Sequence, residues 1–248
     1  MTYERTQDGN PHQLTILEHV FPARSIKRFA NRQGEISVKY LSTGKIFRVK
    51  ADDQIFCAKR VWDQRAEHGY MKNIEDAFQD IAERITNGGG SLLPGDSKVV
   101  TEFSGLCRLR AEWRDRRLGP QRILGIAGEN LTKDQEEVLE KNHAVYVTAG
   151  GTTPGRYIAG IQIQIGIDRF SAELEGREWG IVTAQDSEYI LPDNFGSFTI
   201  VPISPTISLI HDSQDLALSR NQVKMVNRCA AKIASQYVLA RDFEACPE

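Results

Sequence analysis

The sequence has no long apolar run, no cysteine cluster and almost no net charge, and each lack closes off a class of function. Its longest uninterrupted apolar stretches span only a few residues, against the ~20 that a membrane-crossing helix needs. The first ten residues, MTYERTQDGN, are polar and lack the apolar core of a signal peptide. The four cysteines, Cys57, Cys107, Cys229 and Cys246, stand far apart, without Cys-x-x-Cys or Cys/His ligand spacing. Reduced, mostly buried thiols of a soluble cytoplasmic protein are the expectation. Lys and Arg (31) nearly balance Asp and Glu (33), for a formal net charge of -2. A protein that coats nucleic acid is as a rule strongly basic, so the overall charge lends that role no support and leaves only local clusters. No internal repeat or low-complexity segment interrupts the chain.

What is there is an ordinary globular composition, 40% hydrophobic and 26% charged, in a chain of 248 residues that can bury one substantial core or two small ones. After a polar lead-in over residues 1–11, residues 12–17 alternate as a short strand through Leu14 and Ile16. Pro22 then either closes a turn or opens a short helix; a helix would put Ile26 and Phe29 on one face and Arg24, Lys27 and Arg28 largely on the other. Ile36, Val38 and Tyr40, a Ser-Thr-Gly-Lys turn, and Ile46, Phe47 and Val49 read as a hairpin. Residues 53–62 fit a strand or a short helix. Ile74, Ala77, Phe78, Ile81 and Ile85 define a helix with Asn73 as N-cap, ended by three glycines at 88–90.

A second helix is predicted from Asp96 to Leu118, its C-terminal half rich in arginine (Arg108, Arg110, Arg114, Arg116, Arg117), which its dipole favours. Thr132 and Gln135 form a capping box for a third helix. A Gly- and Thr-rich loop precedes a fourth, over residues 154–175, with Thr153 as its cap; neither this loop nor the triple glycine matches a phosphate-binding fingerprint. Strands follow around 179–182 and 189–191, then a proline-interrupted pair over 199–210, with an edge or a bulge expected there. A closing helix is predicted from Ser219 to Arg241. The fold class is α+β: a mostly antiparallel sheet from the N-terminal hairpin and the 179–210 strands, packed by four or five helices. One domain over 1–248, with a helical middle at about 73–176 and two ends that meet in space, is the expected organisation.

Three blocks carry a resemblance. The first joins His19, Pro22, Ile26 and Phe29 to Gly34–Tyr40 and Thr43-Gly44-Lys45. The second is Ile74-Glu75-Asp76-Ala77. The third runs from Trp179–Val182 through Asp193-Asn194 and Val201–Pro205 to Asn227, Tyr237-Val238 and Arg241-Asp242. Over residues 10–86 and 177–243 the chain resembles the bacterial and phage-borne family called domain of unknown function 4238. Members open on a His-x-x-Pro element and carry a Ser-Asp-Asn-Pro turn before a Pro-Leu-Ser-Pro strand. Here Pro192 stands in the place of that serine and Phe195 in the place of the proline. The resemblance implies no settled activity. It implies a mobile-element or prophage setting, which suggests antiphage defence or a toxin.

As an enzyme, the chain would bring His19 to Asp193, with Asn194 and Arg24/Arg28 nearby. A histidine oriented by a carboxylate is a general base, and arginines (Arg110 and Arg114 included) hold a phosphodiester, which suits metal-independent cleavage of RNA. With Glu75 or Asp76 added, the same group would suit a divalent metal. Each residue also has a plain reading: His19 as a structural hydrogen-bonder, Asp193-Asn194 as a turn, Glu75 as a helix-start acid. The alternative function is a non-catalytic protein that binds and blocks a phage or host protein through a surface patch.

Overall fold

The structure is a computed structural model that describes residues 3–88, 90–196 and 200–247. Met1 and Thr2 of the lead-in, Gly89 of the triple glycine and Thr199 of the last strand pair lie outside the described residues.

The chain runs through β1 (Leu17–His19), α1 (Ala23–Lys27), β2 (Ile36–Tyr40), β3 (Ile46–Val49) and β4 (Cys57–Lys59). Then come α2 (Gln64–Ala66), a π-type turn (Glu67–Met71) and α3 (Lys72–Thr86). The helical middle continues with α4 (Asp96–Arg116), β5 (Gln121–Arg122), α5 (Lys133–Lys141), β6 (Thr152–Thr153) and α6 (Gly155–Glu173). The C-terminal part holds β7 (Trp179–Ala184), β8 (Leu191–Pro192), β9 (Ile200–Ser204), β10 (Ile207–His211), β11 (Leu216–Leu218), α7 (Arg220–Ile233) and β12 (Tyr237–Ala240).

The fold is α+β. Its strands are divided between two four-stranded sheets, ordered β3-β2-β12-β8 and β11-β7-β10-β9, with two-stranded pairs β1-β4 and β5-β6 beside them. The N-terminal hairpin therefore pairs with the last strand, Val38 opposite Leu239, and the two ends of the chain meet. Both large sheets feed one apolar core with α1, α3 and α4, in which Phe78 of α3 stacks on Phe103 of α4 at 3.5 Å. A second cluster, centred on Trp62, packs α4 against α6. Pro202 lies on the edge strand β9, and the β9–β10 register shifts at Ile207/Ser208, so both devices expected of that proline-interrupted pair are present.

Several boundaries differ from expectation for local reasons. The first strand starts at Leu17, because residues 10–13 turn, with Asn10 and Gln13 at positive φ. Asn73 is interior to a helix that continues back through the π-type turn, so it caps nothing. Thr153 is in β6 and gives its hydroxyl to the Tyr146 carbonyl; Pro154 is the N-cap of α6. Thr132 starts its helix with the capping box that its spacing to Gln135 predicts, and Ser219 starts the last helix where expected, with a capping box through Gln222. The closing helix ends at Ile233, and Tyr237, assigned by periodicity to its buried face, belongs to β12 instead.

Candidate functional site

Strand β1 fixes His19 by alternation. Leu17 and His19 face one side of the β1–β4 ribbon together with their partners Lys59 and Cys57; Glu18 and Ala58 face the other and are fully buried. His19 is half-buried. Burial pushes its imidazole below the ordinary value, against a hydrogen bond with the Ala51 backbone and the nearby carboxylates of Glu67 and Glu75. Among the described residues Nε2 is buried without a hydrogen-bond partner, which leaves Nδ1 as the nitrogen toward the Ala51 backbone. A neutral ring that donates from Nδ1 to a carbonyl leaves Nε2 as a bare acceptor.

The surrounding shell comes from α2 to α4. The π-type turn sets Glu67 against the Trp62 indole, whose Nε1 donates to Glu67 Oε2 at 2.6 Å. Such turns recur at functional sites because they re-aim one helical residue. Arg110 of α4 is 1% exposed, lies over the Trp62 ring at 5.2 Å, and pairs with Glu75 and, at 3.4 Å, with Glu67. Burial works against its charge, but Glu75 and Glu67 outweigh it and keep the guanidinium ionised. Glu18 Oε2 accepts from the Val61 and Trp62 amides at 2.6 and 3.3 Å, while Oε1 has no partner. Burial, with Glu67 adding to it, holds the Glu18 carboxyl well above the carboxylate range. Glu18 and His19 are thus neighbours in sequence on opposite faces of the ribbon, each with its charged form disfavoured by burial. Cys57, opposite His19, is no nucleophile: burial and the carboxylates of Glu67 and Asp53 push its thiol up to about 11.

The other residues singled out by sequence have partners of their own. Asp193 is buried and takes hydrogen bonds from the Ser235 and Gln236 amides, the Ser235 hydroxyl and Arg114, at 2.8 to 3.1 Å. Its partners are those residues, while the charges acting on His19 are Glu67, Glu75 and Arg110. Asn194 closes a turn by accepting from the Gly196 amide at 2.8 Å. Arg24 pairs with Glu83 on the surface. Arg28 donates to Gln79, Ser25 and the Ile203 carbonyl, and burial lowers it to about 10. Arg110 and Arg114 are committed as described, so each of the four arginines expected to hold a phosphodiester has an internal partner.

Glu75 belongs to Arg110 and Asp76 to Lys72. Among the described residues no group of three or more His, Cys, Asp or Glu is arranged to hold a metal ion, and no helix is long and apolar enough to cross a membrane. Glu67 and Glu18 were missed from the sequence. Nothing local marks Glu67, but Glu18 falls in phase with Leu14, Ile16 and Val20, an acid on the apolar side of a strand pattern, and that signal was readable. No family model, no curated protein and no solved structure matches this chain.

Proposed function

We propose that the protein is a nucleic-acid hydrolase of the antiphage-defence or toxin type, with His19 as its general base. One observation supports this most: a neutral imidazole tethered to the Ala51 backbone, its Nε2 buried and unpartnered, set among Glu67, Glu75 and Arg110. A buried acceptor without a partner costs on the order of 1–3 kcal/mol, and a substrate hydroxyl is the group that would satisfy it. In this reading Nε2 takes the proton of a ribose hydroxyl as its oxygen bonds to phosphorus, and the bond to the leaving oxygen breaks with that oxygen taking a proton from water. Reaching Nε2 requires the cover over it to move, since the atom is out of contact with solvent. Arg110 neutralises one of its two carboxylates and leaves the cluster anionic, so the cation for the phosphate must come from outside it. Lys59 is on the same ribbon face, two residues or about 7 Å along β4 from the partner of His19.

Expression of the wild type and His19→Ala from a tight promoter in bacteria, with and without phage challenge, tests the reading. Toxicity or protection accompanied by degraded RNA with intact DNA, and lost in a folded variant, is the expected result. Protection retained by the variant with intact nucleic acid would sink it.

A second reading, a non-catalytic protein that blocks a phage or host protein, is favoured by the loop before α5. There Leu124 and Ile126 are 85% and 54% exposed, within a segment anchored by Ile123 to Gly151. Glutamate at both positions should then abolish function and co-purification of a partner, while His19→Ala leaves both intact.

A further inference from the structure

We infer that a cavity between the end of β4, residues 117–120 and the start of α6 binds a phosphate-bearing small molecule of the nucleotide class, and that Glu4 competes with that phosphate for the site's cations. The cavity encloses about 340 Å³, near the lower end of small-molecule sites. Lys59, Arg60 and Arg156 line it, and apolar walls come from Val61, Leu118 and Pro120.

The two arginines are built in rather than draped over the surface. Arg60 and Arg156 are 6% and 5% exposed and share a single buried carboxylate, Glu140, with Arg60 Nη2 at 2.8 Å and Arg156 Nη2 at 2.9 Å from its Oε2. Two cations against one anion leave a buried positive excess. Arg60 Nε and Nη1 are buried with no hydrogen-bond partner among the described residues, so a guanidinium that lines the cavity keeps two donors unsatisfied beside its bond to Glu140.

The backbone adds to the same field. The 19-residue helix α6 begins at Gly155 with no side-chain cap and no acid in its first turn, so no side chain of its own offsets the positive pole of its amide end. A Cβ at Gly155 would lie 2.3 Å from the Leu118 carbonyl oxygen and 2.5 Å from that of Gly119; only glycine lets that loop close against the helix start.

The countercharge is supplied from a distance in sequence. Glu4 lines the cavity and pairs with Arg156 and Lys133. Tyr3 covers the Lys59 ammonium at 6.0 Å. This segment is pinned to α5 by polar contacts, Gln7 N to Glu137 at 2.7 Å and His12 to Asp134 at 2.8 Å. A carboxylate on a short polar strap is a group that a dianionic phosphate can displace.

Calorimetric titration of the full chain with AMP, inorganic phosphate and adenosine tests the inference. AMP is expected to bind and raise the Tm, phosphate to bind more weakly, and adenosine not to bind. Glu4→Gln should tighten AMP binding about tenfold and Lys59→Ala should weaken it about tenfold, the scale of one charge-assisted contact. His19→Gln should bind AMP as the wild type does, so this result is separate from the fate of the hydrolase reading. Adenosine binding as well as AMP, affinities unmoved by both Glu4→Gln and Lys59→Ala, or no AMP binding in either the wild type or Glu4→Gln would overturn it.

Discussion

Asp193 grips Ser235 with both carboxylate oxygens: Oδ1 accepts the backbone amide at 2.8 Å and Oδ2 the hydroxyl at 3.0 Å. The Gln236 amide and Arg114 complete the set, at 3.1 and 2.9 Å. This clip sits where α7 stops and the chain turns into β12, and it holds the strand that joins the two ends of the molecule.

Asp193→Ala should therefore act on stability. Removing one partner of a buried, hydrogen-bonded ion pair costs about 3–5 kcal/mol, and here three further donors lose their acceptor. Urea unfolding measures it. A variant that keeps wild-type stability but loses activity would return Asp193 to the chemistry.

The clip also shows what the sequence could and could not reveal. Starts were legible because they are local: Thr132 with Gln135, Ser219, and Pro22 ahead of the buried Ile26 and Phe29 are each read within eight residues or fewer. The end of α7 was not, because apolar residues continue in helical phase through Tyr237 while the signal to stop comes from Asp193, 42 residues upstream of Ser235. His19 was found through its place before Pro22. The charges that act on it, Glu67 and Arg110, are brought within range through a π-type turn and a helix crossing that leave no local pattern. The arginines were visible as a cluster, but their acidic partners were not, and those partners turn candidate ligand-binders into internal struts.

Glu18 predicts a pH dependence. Its folded carboxyl is raised well above the ordinary 4.5, so the folded state holds a proton that the unfolded chain gives up. The stability it contributes is fully present below the unfolded value and is lost as pH rises through the folded one. Glu18→Gln, which cannot ionise, should melt near the wild type at about pH 4 and gain on it as pH rises, levelling off once the folded carboxyl has ionised. Thermal melts across that range check it; parallel curves would contradict it.

Cys57 should be inert. With its thiol pushed up to about 11, only about one molecule in a thousand is thiolate near pH 8. Limited alkylation followed by peptide mass spectrometry should label the exposed Cys229 first. Cys57→Ser should retain activity; loss of activity in a folded Cys57→Ser protein would point to a thiol mechanism.

The central claim is that His19 is a base held neutral for proton abstraction, and the rate of RNA cleavage against pH by purified wild type and His19→Gln tests it most directly. Because the folded imidazole lies below the ordinary 6.5, the wild-type rate should rise through a limb below that value and stay level above it. His19→Gln should lose at least about a hundredfold and the limb with it, at an unchanged Tm. A variant that cleaves at the wild-type rate with the same pH profile would contradict the account.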